Sequence, residues 1–379
     1  MHRNTTAVSV GALSLTLLAG GVRAGETIVI RHDVDDARYI ALAKGHDSVA
    51  FVGGGTGTLI APRWMLTAAH VADSFGAFLP EVTLGGETFT ADLVLLHPAW
   101  TDGSLPDEQR PDLALVRLDR PVTGVTPSPL YRGSDEAGQV VTFVGGGVTG
   151  NGRDGLGEDD RVMRGAHNLC ESVEYGHWLT FLFDAPNTAL ELEGISGPGD
   201  SGGPAFIGTA GGFAVAGVSS SNSGSRADGT HCTYGTTEVY ARVSSNLEWL
   251  ESAMREHADS PAPGNEAGVD LADGAWPDGA EPAMALALIE AWNAGDRDAL
   301  TAFERTYRPT DPRNRSVEER AENWAGVAER FGTLTPLTMI HEPGRAVHVR
   351  CRSTNQGTIA LSFEIASTDP VTMRGVLIR

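Results

Sequence analysis

The sequence is poor in cysteine and in positive charge. Its 379 residues include three cysteines, Cys170, Cys232 and Cys351, which allow at most one internal disulfide. A small scaffold held together by many disulfides is therefore excluded. Lys and Arg number 28 against 49 Asp and Glu, and the net charge of −21 argues against nucleic acid as a partner. The chain also lacks a convincing cluster of metal ligands, so we predict no metal and no cofactor.

Long apolar runs are absent after residue 24. The first 24 residues combine Arg3, an apolar run over residues 7–18 and small residues that end at Val22-Arg23-Ala24, which is the pattern of a cleaved secretory signal. A membrane anchor is the alternative, but the run is short and contains Gly and Ser. We therefore predict a secreted or periplasmic protein that keeps no membrane anchor after cleavage.

Residues 25–258 consist of short β-branched or apolar runs separated by glycine clusters, such as the one at 197–203. This pattern predicts an antiparallel all-β domain. Helical spacing of apolar residues over 243–258 predicts that the domain ends in a helix, with Ser244 and Ser245 as candidate caps.

A second domain is predicted after a linker. Residues 259–279 are rich in Pro, Gly, Ala and Asp, which is typical of a linker. Residues 280–379 begin with helical patterns, including a capping box at Ser316 and Glu319. Four β-like runs follow near 334–341, 346–353, 358–366 and 371–379. Helices first and strands afterwards predict a smaller α+β domain.

One predicted strand of this second domain carries alternating basic residues, His348, Arg350 and Arg352. Such a stripe either binds an anion or an acidic partner, or forms the solvated face of the sheet. The solvated face is the commoner case, and the sequence alone leaves the role of this domain open.

Three short motifs place candidate catalytic residues in the order His, Asp, Ser. They are Leu66-Thr67-Ala68-Ala69-His70, Asp112-Leu113-Ala114-Leu115 and Gly199-Asp200-Ser201-Gly202-Gly203-Pro204. A serine hydroxyl is a weak nucleophile until an imidazole takes its proton, and the imidazole needs a carboxylate to fix its tautomer and stabilise its cation. Each residue alone has an ordinary structural explanation, but the three motifs in this order are hard to obtain by chance.

These motifs resemble those of the trypsin/chymotrypsin-like serine proteases, and the resemblance covers residues 28–258. It implies a mainly β domain of two six-stranded antiparallel barrels with a C-terminal helix. By this resemblance His70 is the general base, Asp112 its orienting carboxylate and Ser201 the nucleophile. The backbone N–H groups of Gly199 and Ser201 would form the oxyanion hole.

The cysteines depart from the pattern of that family. A cysteine pair that is common beside the catalytic histidine is replaced by Gly55 and Val71. Cys232 stands where the family has a cysteine, but its usual partner is missing. The resemblance therefore implies a Cys170–Cys232 disulfide, and we expect Cys351 to be a buried thiol on a strand.

The residues that would select a substrate are less clear. The resemblance places Ile195 at the base of the primary pocket, where no acidic residue stands, and Ser219, Ser220 and Ser221 along the cleft. Glu238 either projects into the pocket wall, where a buried carboxylate favours a basic side chain, or is a solvated residue at a strand end. Apolar and basic residues at the scissile bond both stay open.

Activation is a further open point. In the family, a freed terminus binds the aspartate that precedes the nucleophile, here Asp200. The segment Ile28-Val29-Ile30-Arg31 lies at a suitable distance from His70, but it lacks the family's glycines and has no basic residue before Ile28. Either further trimming occurs, or another group satisfies Asp200, or the domain stays poorly active.

The leading hypothesis is a secreted serine endopeptidase that acts on protein or peptide substrates through an acyl-enzyme. The alternatives are a catalytically silent binding protein on the same scaffold and an esterase with the same triad. The C-terminal domain weakly resembles cystatin-like or nuclear-transport-factor-like α+β cones, mainly at residues 292–296. The oligomeric state is not predicted.

Overall fold

The computed structural model describes residues 28–75, 78–101, 104–106, 109–157, 160–223, 230–260, 268–271, 274–311 and 314–378. The predicted signal segment 1–24 and part of the predicted linker lie outside the described residues. The chain divides into two compact units, one comprising residues up to Ser74 with Leu79–Ser260, and one comprising Phe75–Phe78 with Pro261–Arg379. None of the described helices is both long and apolar enough to cross a membrane.

The first unit is mainly β. Its strands are β1 (Val29–Ile30), β2 (Val49–Val52), β3 (Gly55–Ala61), β4 (Trp64–Thr67), β5 (Glu81–Leu84), β6 (Glu87–Leu96), β7 (Ala114–Leu118), β8 (Val140–Gly145), β9 (Gly150–Asn151), β10 (Gly155–Leu156), β11 (Arg164–Glu174), β12 (Trp178–Leu182), β13 (Gly194–Ile195), β14 (Pro204–Thr209), β15 (Gly212–Ser223) and β16 (Thr237–Arg242). Its helices are α1 (Asp36–Ala43), α2 (Ala69–Asp73), α3 (Pro98–Thr101) and α4 (Leu247–Glu256).

Six of these strands form the first barrel in the order β2-β3-β4-β7-β6-β5. Every pair is antiparallel, and β2 lies alongside β5, so the sheet is nearly closed. The interior is filled by apolar side chains such as Leu59, Met65, Phe89 and Leu115, which are at most 1% exposed. Their burial supplies the hydrophobic stabilisation of this barrel.

The second barrel is closed, in the order β11-β12-β16-β15-β14-β8. Aromatic rings form the centre of its core. Phe143 stacks on Tyr240 with 4.7 Å between ring centroids and meets Phe181 edge to face at 4.9 Å. The two six-stranded antiparallel barrels confirm the fold that the sequence predicts for this part of the chain.

Helix α4 follows the second barrel, but it begins later than the sequence suggests. A 3₁₀ turn at Ser244–Asn246 precedes it, and Asn246 occupies the cap position without a side-chain cap bond. The Ser244 hydroxyl instead donates to the buried Glu136 carboxylate at 2.5 Å. The predicted capping role of Ser244 is therefore wrong, because a buried acid outside the helix binds its hydroxyl.

The second unit contains three helices and a meander of strands. The elements are β17 (Val269–Asp270), α5 (Ala280–Ala294), α6 (Arg297–Tyr307), α7 (Val317–Phe331), β18 (Leu334–Glu342), β19 (Ala346–Ser353), β20 (Gly357–Thr368) and β21 (Val371–Ile378). The sheet order is β17-β18-β19-β20-β21. The capping box forms at the start of α7, with Glu319 N donating to Ser316 Oγ at 3.1 Å and Ser316 N donating to Glu319 Oε2 at 2.7 Å. The predicted α+β class is confirmed.

Alternation along β19 separates two faces. Val347, Val349 and Cys351 are fully buried in a core with residues of the three helices, including Trp292. His348, Arg350 and Arg352 alternate with them and so point to the other face, where Arg352 is exposed.

The cysteines do not pair. All three are free, so the expected Cys170–Cys232 disulfide is wrong. Cys170 lies on β11 in the core of the second barrel, whereas Cys232 packs in a separate cluster with Val29 and Phe183. Cys351 is buried as expected. Burial raises the pKa of Cys351 to about 12 and is the main cause that raises the pKa of Cys170 to about 11, so both thiols stay protonated near neutral pH.

We expect all three thiols to react with an alkylating reagent in denaturant without prior reduction, because the fold keeps them in separate places. Mass spectrometry of the labelled protein, beside a reduced control, measures this. Native protein should label slowly because each thiol is buried. A single label in the unreduced, denatured sample would contradict the structure.

Candidate active site

The backbone pairing of β4 with β7 brings His70 and Asp112 together. Thr67 at the end of β4 lies opposite Ala114 at the start of β7. Chain continuity then puts Asp112 beside the first turn of α2, which carries His70. Asp112 Oδ1 accepts the backbone N–H of His70 at 2.9 Å, and Asp112 Oδ2 lies 2.6 Å from His70 Nδ1.

The electrostatics of this pair favour the charged carboxylate. Asp112 is 2% exposed. Burial alone would raise its pKa, but the neighbouring His70 charge and the hydrogen bonds that it accepts lower the pKa overall. For His70, burial would lower the pKa, and the charge and hydrogen bond of Asp112 outweigh it, so the pKa of His70 is raised. The imidazole is thus a stronger base than in water, with its Nδ1 side fixed by the carboxylate.

Ser220 completes the environment of Asp112. Its hydroxyl donates to Asp112 Oδ2 at 2.6 Å, and this hydrogen bond contributes to the lowered pKa of Asp112. The family resemblance places Ser220 along the cleft but does not predict this contact with Asp112. Its spacing from Asp112, 108 residues, carries no local signal.

The loop that carries Ser201 lies against the first barrel. Thr56 N donates to Ser201 O at 2.8 Å, and Thr56 Oγ1 donates to Gly199 O at 3.0 Å. Thr67 Oγ1 in turn donates to Thr56 O at 2.7 Å. Ser201 is therefore joined through Thr56 to the motif that contains His70. Within the described residues no hydrogen bond links the Ser201 hydroxyl to His70, and such bonds often tighten only when substrate is bound.

Two glycines make this close approach feasible. A Cβ on Gly202 would lie 2.1 Å from Thr67 Oγ1, and a Cβ on Gly55 would lie 2.6 Å from Ser201 O. The same Cβ on Gly55 would also meet the methyl groups of Val71 at 2.8 and 2.9 Å. Gly55 and Val71 are thus neighbours, in agreement with the register in which they replace a cysteine pair.

The backbone around Ser201 presents two unused donors. Gly199 adopts φ +95°, which favours glycine. Among the described residues, the N–H groups of Gly199 and Ser201 donate no hydrogen bond, while Gly202 N and Gly203 N are both used. Two free N–H groups beside a serine hydroxyl can stabilise an oxyanion.

The residues predicted to contact substrate lie in different environments. Ile195 is fully buried and pairs with Val29, so its side chain packs in an apolar cluster. Ser219 is 6% exposed and exchanges backbone hydrogen bonds with Gly202 and Gly203. Ser221 lies exposed two residues further along β15.

Glu238 is buried rather than solvated, at 1% exposure. Its Oε2 accepts the N–H of Ser196 at 3.0 Å, and its Oε1 has no hydrogen-bond partner. Burial is the main cause that raises its pKa well above the usual value. The alternative of a solvated strand-end residue is wrong. A carboxyl group buried in this way is stable either when it is neutral or when its charge is compensated by a bound cation.

The His70 titration tests the role of Ser220. We expect the His70 imidazole to titrate above its ordinary value of 6.5, as followed by NMR of its ring protons. In Ser220→Ala, Asp112 loses one donor and presents more of its charge to His70, so the pKa of His70 should rise by roughly a further half unit. Ser128→Ala, which removes a serine–serine hydrogen bond of 2.8 Å elsewhere, is the control. An unchanged or lower His70 pKa in Ser220→Ala would argue against this role.

Comparisons with known proteins agree with this geometry. The sequence model of the Trypsin family matches residues 42–250, more than half of the chain.

The chain is 28% identical over 234 residues to complement C1s subcomponent of Sus scrofa, covering 53% of this chain and 32% of that protein. It is 28% identical to brachyurin of Leptuca pugilator, covering 54% of this chain and 88% of that protein. It is 27% identical to chymotrypsin-like elastase family member 1 of Bos taurus, covering 52% and 77%. The chain spans about a third of the first of these relatives. The chain therefore belongs to the trypsin/chymotrypsin-like serine protease family.

Proposed function

We propose that the protein is a serine endopeptidase whose nucleophile is Ser201. The observation that carries this proposal is the pair formed by His70 and the buried Asp112, next to a loop with two unused backbone donors. A silent binding scaffold has no need of a basic imidazole or of free N–H groups at the same place. Their combination favours catalysis over the binding alternative.

The reaction follows from the roles that these groups can fill. His70 Nε2 takes the proton of the Ser201 hydroxyl as its oxygen attacks the carbonyl carbon of the substrate. The N–H groups of Gly199 and Ser201 stabilise the oxyanion of the tetrahedral intermediate. The imidazolium then gives its proton to the leaving amine, and water hydrolyses the acyl-enzyme by the same route. Asp112 stays ionised and stabilises the imidazolium throughout.

Export is part of the proposal. The pattern of residues 1–24 suits a cleaved signal, and a protease that degrades external protein or peptide needs no further targeting. All three thiols are buried, and burial would protect them from oxidation outside the cell.

A fluorophosphonate probe tests the nucleophile. The mature protein should be labelled on Ser201, and Ser201→Ala should abolish labelling. Asp112→Asn should slow labelling by about 10⁴-fold because it fixes the wrong imidazole tautomer. Hydrolysis of matched peptide amides and esters then separates a peptidase from an esterase. Unlabelled, folded protein would exclude both enzymes, and hydrolysis of esters without amides would favour the esterase.

Glu238 supports a preference for a basic residue before the scissile bond. Its neighbours are Ser196 and, across the β15–β16 pairing, Asn222. These belong to the segments that carry Ser201 and Ser220. We propose that a basic substrate side chain enters between the two segments and binds at Glu238. A Lys or Arg there would supply the donor that Oε1 lacks.

Peptide profiling tests this preference. In Glu238→Gln, cleavage after Lys and Arg should fall by about 100-fold or more in kcat/KM, because a buried cation loses its countercharge. Cleavage after apolar residues should change little. Glu238→Asp, which keeps the charge, should retain the preference for basic residues. A wild type that cleaves after apolar residues and is unaffected by Glu238→Gln would exclude this role.

A further inference from the structure

The N-terminal segment of the first unit is already built into a sheet. Ile28, Val29 and Ile30 are 1%, 0% and 7% exposed. Val29 lies antiparallel to Ile195 on one side and parallel to Gly150 on the other. Strand β1 is therefore an interior strand of the small sheet β10-β9-β1-β13.

Contacts on its C-terminal side hold this strand in place. Gly152 N donates to Ile30 O at 3.0 Å. Arg31 N donates to the Tyr39 hydroxyl at 3.3 Å, and Arg31 Nη1 donates to Leu190 O at 2.8 Å. None of these bonds uses a free chain end. The strand pairing and these hydrogen bonds hold β1 in place, and a chain that extends N-terminally of Ile28 can form all of them.

Asp200 has backbone donors for both of its oxygens. Asp200 Oδ1 accepts the N–H of Gly147 at 3.2 Å, and Oδ2 accepts the N–H of Gly197 at 3.0 Å. Gly145 approaches so closely that a Cβ there would lie 1.9 Å from Oδ1. These backbone donors compensate the burial of the Asp200 carboxyl group, which is 1% exposed.

The loop of residues 197–203, which carries Asp200 and Ser201, is closed by further bonds. Asp200 N donates to Gly197 O at 3.1 Å, and Gly203 N donates to Asp200 O at 2.7 Å. Gly199 and Ser201 keep their N–H groups free within the described residues. The N–H groups that an oxyanion hole requires are thus free while backbone donors bind Asp200.

The sequence before Ile28 is unsuited to release of a terminus there by a protease that cleaves after basic residues. It reads Gly25-Glu26-Thr27, and the nearest upstream basic residue is Arg23.

We propose that this protease needs no cleavage before Ile28: the seated β1 and the backbone donors of Asp200 order the oxyanion loop in a chain that extends N-terminally of Ile28. This inference rests on the proposed function. Its consequence is that activity is not controlled by release of an ammonium group at Ile28, and any control of the enzyme acts by other means.

The experiment compares two purified forms, one beginning at Gly25 and one beginning at Ile28. Intact mass measured after each assay confirms that the Gly25 form is not trimmed. The rate of fluorophosphonate labelling and kcat/KM on a peptide substrate should agree within about twofold, well under the tenfold that corresponds to 1.36 kcal/mol. The Gly25 form should also keep its activity above about pH 8, where an α-amino group loses its proton.

Two other outcomes would overturn the inference, and they differ in whether the proposed function also fails. An Ile28 form that is labelled at least about tenfold faster than the Gly25 form, with activity lost at alkaline pH, would show that the freed terminus is required while the proposed function stands. Absence of labelling in both folded forms would overturn the proposed function and this inference with it.

Discussion

The antiparallel pairing of β4 with β7 is the constraint on which the catalytic arrangement depends. It places Asp112 at the start of α2, where one carboxylate oxygen binds the His70 backbone and the other binds its ring. Three donors, the two of His70 and the Ser220 hydroxyl, compensate the burial of this charge. Because the same carboxylate binds the first turn of the helix and the imidazole, the main chain sets the orientation of His70, the proposed general base.

The loop of Ser201, the proposed nucleophile, lies against the motif of His70 through backbone contacts that only glycine allows. No side chain fits at Gly55 or Gly202, since a Cβ would come within 2.6 Å of Ser201 O or 2.1 Å of Thr67 Oγ1. A larger residue at either position would separate the loop of Ser201 from the motif of His70. Gly55 also lies close to Val71, the two positions at which the family resemblance predicts a missing cysteine pair. A tight apolar contact between strand and helix holds them where a disulfide would otherwise do so.

The barrels, the α+β class of the second unit and the three motifs could be predicted because their signals are local in sequence. The other features depend on distances that sequence spacing does not fix. A Cys170–Cys232 bond requires Cα atoms within about 7 Å of each other and suitably directed side chains, and the two thiols lie in separate clusters. The position of Ser244 in the sequence is that of a helix cap. Its hydroxyl binds the buried Glu136, which is 108 residues away in the sequence. The hydrogen bond between Ser220 and Asp112 joins residues 108 positions apart, so only the folded structure reveals it.

Two buried carboxylates, Glu238 and Asp200, bind the backbone of the segment before Ser201. They bind consecutive N–H groups, Glu238 that of Ser196 and Asp200 that of Gly197. Asp200 has a donor for each oxygen, so its burial is compensated within the chain. Glu238 has a donor for one oxygen, and the other is orphaned at a cost of about 1–3 kcal/mol. The Asp200 carboxylate therefore belongs to the permanent structure of the loop. In the proposed function it is Glu238 that gains free energy when a basic substrate side chain binds, so substrate recognition acts on the segment that precedes Ser201.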